Sequence, residues 1–225
     1  MATKNIDVTI DYYAAQAKDE NYTTVHNATT TPYTAGFIGQ YLSLENYYLM
    51  RGAFGLDTSV IPAGAVISEA SLYFELKNDY SDTNFDLVIQ LLGYPFDIHR
   101  YNKTNFSGNG GSLNTNGISG TVIIPLNEDG ISWIQKGEGA ITRLGLRSSR
   151  EIAANVPVGS EYIEYKGYPY MHLMVDYTLS GKIVSGKASI TTEIIINLPP
   201  KIINIKAERD STQTAIKFYG EIIKN

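Results

Sequence analysis

Residues 68–76, SEASLYFEL, alternate without a break: Ala70, Leu72, Phe74 and Leu76 fall on one side, and Glu69, Ser71, Tyr73 and Glu75 on the other. A period of two places every second side chain on one face of an extended chain, so this stretch must be a half-buried strand that needs a covered sheet. It has a neighbour. Residues 48–56 place Tyr48, Met50 and Gly52 on one face and Leu49, Arg51 and Ala53 on the other, before a short apolar end at Phe54 and Leu56. Asp57-Thr58-Ser59 and Pro62-Ala63-Gly64 supply the turn between them, because Pro presets φ and Gly tolerates positive φ. This strand–turn–strand contains no catalytic group and reads as scaffold.

The same pattern recurs along the chain. Residues 5–13 alternate weakly around Ile6, Val8 and Ile10, and the polar region 14–46 offers short strand candidates at 22–25 and 37–44. Residues 85–92, FDLVIQLL, are almost continuously apolar, as in a central strand covered on both faces. Residues 99–119 are rich in Asn, Gly and Ser and predict a long exposed loop. A strand resumes at 121–124, followed by the one expected helix, 127–137, with Asn127 as cap, Glu128 and Asp129 at its N-terminus and Gly137 as its stop. Further strands are predicted at 141–147, 162–165 and 171–177. About eight to ten short strands with turns between them indicate an all-β antiparallel sandwich of jelly-roll type with one short helix.

Composition narrows the chemistry. The 225 residues include no cysteine, which removes disulfides, thiolate metal sites and thiol nucleophiles. The net charge of −5 argues against an ordinary basic nucleic-acid binder. It is unevenly spread. Residues 1–180 hold 11 Lys/Arg against 19 Asp/Glu, whereas 181–225 hold 7 against 4. The N-terminal stretch has no apolar core of a signal peptide, and no segment reaches the roughly 18 apolar residues of a membrane span, which predicts a protein that stays where it is made or leaves inside an assembly.

Three runs appear in a familiar order: YYLMRGAFGLDTSVIPAGAVISEASLYFEL, ISWIQKGEGAITRLGLR and a closing stretch that ends YPYMHLMVDY. In these the chain resembles the DNRLRE, or disaggregatase-related, β-sandwich family over roughly residues 7–178. Arg51, Phe54, Asp57, Thr58, Ser59, Ile61 and Pro62 match that family's strand-and-turn element. Pro169, Leu173, Val175 and Tyr177 match its closing strand with slightly different spacing. The resemblance implies a jelly-roll module with no universal catalytic residue, found both in secreted carbohydrate-active proteins and in phage virions. It also makes Arg51, Phe54, Asp57, Pro62, Pro169 and Tyr177 fold-specifying positions.

Residues 181–225 fall outside the resemblance. They hold 11 Ile, in β-prone stretches at 190–198, 202–207 and 214–223 around Pro199-Pro200. So small a set of strands buries little by itself. It is therefore expected to form a separate β-rich extension for docking or strand exchange, with Ile194, Ile196, Ile202, Ile205, Ile216 and Phe218 as assembly residues.

His26, His99 and His172 are far apart, and none has a ligand-like neighbour at metal spacing. Ser149-Arg150-Glu151 has no histidine beside it and reads as a structural Arg150–carboxylate pair, while Arg51 and Asp57 are expected to organise the turn. Asp79, Asp82 and Asp86, interleaved with Asn78 and Asn84, are a candidate Ca²⁺ loop, though a solvated turn explains them more simply. The 17 tyrosines lie mostly at expected strand ends and loops. Tyr12, Tyr33, Tyr101 and Tyr168 are candidates for stacking on sugar rings, against a plainer role in cross-strand packing.

The expectation from sequence is a non-enzymatic virion structural protein without cofactor, acting as capsid decoration, fibre or tail component. Its partners would be other copies or other virion proteins, with surface glycans next and no nucleic acid. The alternatives are a carbohydrate-binding module of a secreted or cell-surface protein and a self-polymerising extracellular filament subunit.

Overall fold

The computed structural model describes residues 1–19, 29–31, 36–43, 46–93, 106–167, 169–179, 202–209 and 216–222, with backbone alone for 8–19, 29–31, 46, 202–209 and 216–222. The chain divides into two compact units, Met1–Gly181 and Lys182–Asn225. Among the described residues no helix is long and apolar enough to cross a membrane.

The first unit is all-β and sandwich-like. Its strands are β1 (Ala2–Asp19), β2 (Thr29–Thr31), β3 (Gly36–Ser43), β4 (Asn46–Asp57), β5 (Ala65–Asp79), β6 (Asp86–Leu92), β7 (Phe106–Asn114), β8 (Thr121–Pro125), β9 (Ile141–Ser148), β10 (Ser160–Lys166) and β11 (His172–Leu179). Every pairing is antiparallel, in the order β2-β1-β11-β5-β10-β3-β4-β9-β6-β7, with β8 on β5. Strand β1 also pairs with β4. The pairings therefore close a circuit, β1-β11-β5-β10-β3-β4 and back to β1, which curls the sheet around its core.

The alternation of residues 68–76 sets the position of that core. Leu72 of β5 lies opposite Leu173 of β11 and Ile124 of β8, and Leu173 lies opposite Ile6 of β1. All four are buried. Each large apolar side chain so buried stabilises the fold by roughly 1.5–3 kcal/mol relative to exposure. Leu87 and Ile89 of β6 and Leu144 and Leu146 of β9 extend the same core, and Phe54 of β4 meets Tyr165 of β10 edge-on at 6.2 Å.

Two expectations need correction. The predicted loop at 99–119 contains strand β7, because its glycines serve close approach: a Cβ on Gly111, at φ 144°, would stand 2.2 Å from Pro125 O, and one on Gly130 of the neighbouring helix 2.2 Å from Gly110 O. There are also two helices. The first, α1 (Glu128–Ser132), has the expected cap, Asn127 Oδ1 accepting from Gly130 N at 3.0 Å, but it ends at Trp133 well before Gly137. The second, α2 (Ser149–Ile152), is capped by Ser148, whose Oγ accepts from Arg150 N at 3.2 Å. At four residues it has no sequence periodicity to reveal it.

The second unit contains β12 (Ile202–Arg209) paired antiparallel with β13 (Ile216–Ile222), in which Ile202 lies opposite Ile222, Ile205 opposite Gly220, Ala207 opposite Phe218 and Arg209 opposite Ile216. Ile194 and Ile196 lie outside the described residues.

Candidate binding face and its buried polar support

Strand β3 carries Phe37, Gly39 and Tyr41 on one parity and Ile38 and Gln40 on the other. Ile38 enters the core, so Phe37, Gly39 and Tyr41 face outward. Register then assembles an aromatic row. Tyr41 lies opposite Tyr48 of β4, and Gly39 lies opposite Tyr162 of β10. Tyr41 and Tyr48 stack at 4.5 Å with their planes 6° apart, Tyr162 follows at 5.3 Å from Tyr41, and Tyr80 stacks on Tyr162 at 5.0 Å. Phe37 adds an edge contact to Tyr162 at 6.0 Å.

Gly39 makes this row. Its φ is +134°, and a Cβ there would stand 2.1 Å from Glu161 O and 2.8 Å from Tyr162 Cβ. Only glycine leaves Tyr162 room between Phe37 and Tyr41.

The row ends in charge. Glu164 of β10 accepts from Lys77 Nζ at 2.6 Å, Asn78 Nδ2 at 2.8 Å and Tyr80 Oη at 3.3 Å. Burial would raise its carboxyl, but the bonds from Lys77 and Asn78 outweigh that and hold it below the ordinary glutamate range. Burial, then the neighbouring phenols, raise Tyr41; burial, then Tyr80 and Glu164, raise Tyr162. The row is thus a neutral, half-buried aromatic strip across four chain segments with one carboxylate at its end.

Strands β4 and β9 carry a second polar system, which is sealed. Arg51 and Arg147 converge on Glu151 of α2: Arg51 Nε donates to Glu151 Oε1 at 2.7 Å, its Nη2 reaches the same oxygen, and Arg147 Nε and Nη2 donate at 3.1 and 2.9 Å. Phe106 lies against both guanidinium groups, at 5.6 and 5.4 Å from ring centre to Cζ. Its ring occupies the space a Cβ on Gly145 would need, 2.3 Å from Cε1. Gln90 extends the system, accepting from Arg147 Nη1 at 3.0 Å and donating to Gly108 O at 2.8 Å. Burial opposes the charge on Glu151, yet the two arginines hold its carboxyl below the ordinary range. Nearby, Glu161 Oε2 accepts from Gln40 at 2.6 Å and from Arg150 Nε at 2.7 Å. Apart from the partly exposed Arg150, the paired groups are buried, and they fix strands and helix α2 in place.

Arg51 thus answers Glu151. The turn is organised by Asp57, whose Oδ1 accepts from Ser59 N at 3.1 Å, and by Pro62, whose carbonyl accepts from Ala65 N at 2.9 Å. Pro169 lies in a turn closed by Tyr170 N donating to Gly167 O at 2.8 Å, and Tyr177 is buried in the core. The three candidate calcium carboxylates are not brought together. Asp79 accepts from Ser81 N at 2.9 Å, Asp82 from Ser160 N at 3.2 Å and Asp86 from Asn114 at 2.6 Å, and no described group of three acidic or histidine side chains is placed to hold a metal ion.

His172 stacks on Tyr73 at 4.9 Å on the outer face of β11. Of the four tyrosines singled out for sugar stacking, Tyr33, Tyr101 and Tyr168 lie outside the described residues, as does the side chain of Tyr12. The row that does form includes Tyr41 and Phe37, which sequence reasoning passed over as strand interior. The signal was their shared parity with Gly39.

No family model matches the chain and no curated protein matches it, so the likeness of residues 47–76 and 169–177 to the DNRLRE family rests on those residues alone.

Proposed function

We propose that the chain is a non-catalytic structural protein of a virion, a capsid-decoration, fibre or tail component that displays the sandwich and assembles through its Ile-rich extension. The observation that carries this reading is the division of the chain: Lys182–Asn225 is a unit of its own, and its described structure is one pair of strands. A lone two-stranded sheet is marginal in water. Strand pairing or apolar docking with neighbouring copies would add burial to it. The buried carboxylates support it too, since Glu151 and Glu161 are engaged by arginines as structural groups.

Deletion of residues 181–225 tests the proposal. The truncated chain should lose its oligomeric state by mass photometry and its incorporation into particles. Retained assembly after the deletion refutes it.

A second reading, a carbohydrate-binding module, is favoured by the outward row of Tyr48, Tyr41, Tyr162 and Tyr80. Aromatic side chains offer apolar faces and edges with a polar tip, which suits sugars as well as proteins. Glycan-array binding that disappears in Tyr162→Ala would establish it.

A further inference from the structure

Strand β8 pairs with β5 alone among the described strands, and two hydrogen bonds at its ends fix which of its residues face that partner. Leu126 N donates to Ala70 O at 2.9 Å, and Leu76 N donates to Gly120 O at 2.8 Å. In an antiparallel ladder only alternate residues exchange bonds with a given neighbour. The register therefore turns the backbone of Val122 and Ile124 toward Phe74 and Leu72, and that of Thr121 and Ile123 away from β5. Thr121 and Ile123 make no hydrogen bond to any other described residue. Two N–H donors and two carbonyl acceptors line an open edge.

That edge is unguarded. Sheets ordinarily protect an edge with charge, proline or a covering segment. Strand β7 is covered, since Asn127 N donates to Gly110 O at 2.9 Å and Asn127 Nδ2 to Asn109 O at 2.8 Å. The first part of β1, which pairs with β11, carries exposed Lys4 and Asp7. Strand β8 reads Thr-Val-Ile-Ile-Pro, with no charge and a proline only at its far end. Val122 and Ile124 are buried in the core, so Thr121 and Ile123 present β-branched side chains outward, Ile123 at 42% exposure.

The edge fits itself. Two β8 strands run antiparallel about a two-fold axis at Val122 set Thr121 of each copy opposite Ile123 of the other, so every outward donor meets an acceptor. An axis one residue further on, at Ile123, would set Thr121 against Pro125, which has no N–H. Charge permits the approach. Residues 1–180 are acidic, with 11 Lys/Arg against 19 Asp/Glu, but the strand is neutral, and Glu75, opposite Thr121 on β5, is already paired with Lys166 at 2.6 Å. We propose that β8 pairs with β8 of a second copy in the register centred on Val122. The outer row of His172, Tyr73 and Ile123 then runs on into Thr121 and Glu75 of the other sandwich. So short a contact falls well below the roughly 1,000 Å² of a self-sufficient interface. It joins copies that the extension has already gathered, where effective concentration is high. The proposal thus rests on the assembly reading above and adds the contact between sandwiches.

The chain has no cysteine, so each substitution introduces its only thiol. Full-length Thr121→Cys and Ile123→Cys are mixed in equal amounts, assembled and mildly oxidised. In the proposed register, residue 121 of one copy and 123 of the other have Cα atoms about 5.5 Å apart, within disulfide reach. Residue 121 with 121, or 123 with 123, lies beyond the limit of about 7 Å. The expected result is a disulfide dimer that forms roughly tenfold faster in the mixture than in either variant alone. In the unsubstituted protein, the Thr121 and Ile123 amides should exchange roughly tenfold more slowly in the assembly than in dilute solution. Ile123→Lys should lose that protection while its thermal melt stays unchanged. A mixture no faster than the single variants, or amides unprotected in the assembly, overturns the proposal; protected amides without the mixture's preference assign the edge to a different partner and overturn it too. Failure here with assembly still lost on deletion of 181–225 removes only the edge pairing. Faster cross-linking in the mixture with assembly intact after the deletion removes the assembly reading instead.

Discussion

Arg51 and Glu151, 100 positions apart in sequence, meet in an ion pair whose side chains are 0% and 1% exposed. The pair ties β4 to α2, and Arg147 joins it from β9. Charges so buried are tolerated only while paired, because removal of one partner leaves the other in a low-dielectric interior. Glu151→Gln removes the buried carboxylate that two guanidinium groups share. We expect it to destabilise the first unit by about 3–5 kcal/mol, read as a lower denaturant midpoint with an unchanged slope.

Acid should act through the same group. The folded-state carboxyl of Glu151 is held below the ordinary glutamate value of 4.5. A depressed carboxyl contributes stability that is present above the unfolded value and lost as pH falls through the folded one. Glu164 has the same sign. Stability should therefore hold near neutrality and decline below about pH 4.5. Glu151→Gln should flatten that decline, and a profile as steep as wild type would contradict the assignment.

At high pH the sign reverses. Tyr41 and Tyr162 have raised phenol values, so the folded state resists their ionisation. Their contribution is complete below the ordinary value of 10.0 and is lost as pH rises through the folded values. Spectrophotometric titration should show a late fraction of tyrosinate that disappears in the Tyr41→Phe, Tyr162→Phe double variant.

Two glycines should respond in opposite directions. Gly39→Ala forces a side chain into φ +134° and against Glu161 O, and should cost about 1–3 kcal/mol or more while loosening the Tyr162 seat. Gly64 has no atom within 4 Å of its Cβ position and no left-handed φ, so Gly64→Ala should be neutral or stabilise by about 0.4–1 kcal/mol through the unfolded chain. Thermal melts of the two variants check both.

Much of the sandwich was legible because its evidence is periodic. The parity of Ala70, Leu72 and Phe74, read from sequence, is the parity that faces the core. What escaped was carried by pairs distant in sequence. The partnership of Arg51 with Glu151 depends on a four-residue helix too short to leave a pattern. Strand β7 escaped because its glycines resemble turn formers, whereas in the fold they make room for Trp133. The aromatic row was half visible: Tyr48, Tyr80 and Tyr162 stood out as tyrosines near strand ends, but only cross-strand register sets them beside Tyr41.

Closure of the strand circuit has a consequence for synthesis. Ile6 of β1 lies opposite Leu173 of β11, so the first part of β1, Ala2–Asp7, has its partner among the last strands of the unit, while the rest of β1 pairs with the early strands β2 and β4. At roughly 5–20 residues per second, that segment waits on the order of 10–30 s before its partner leaves the ribosome. During that interval its open edge is a template for mispairing with another copy.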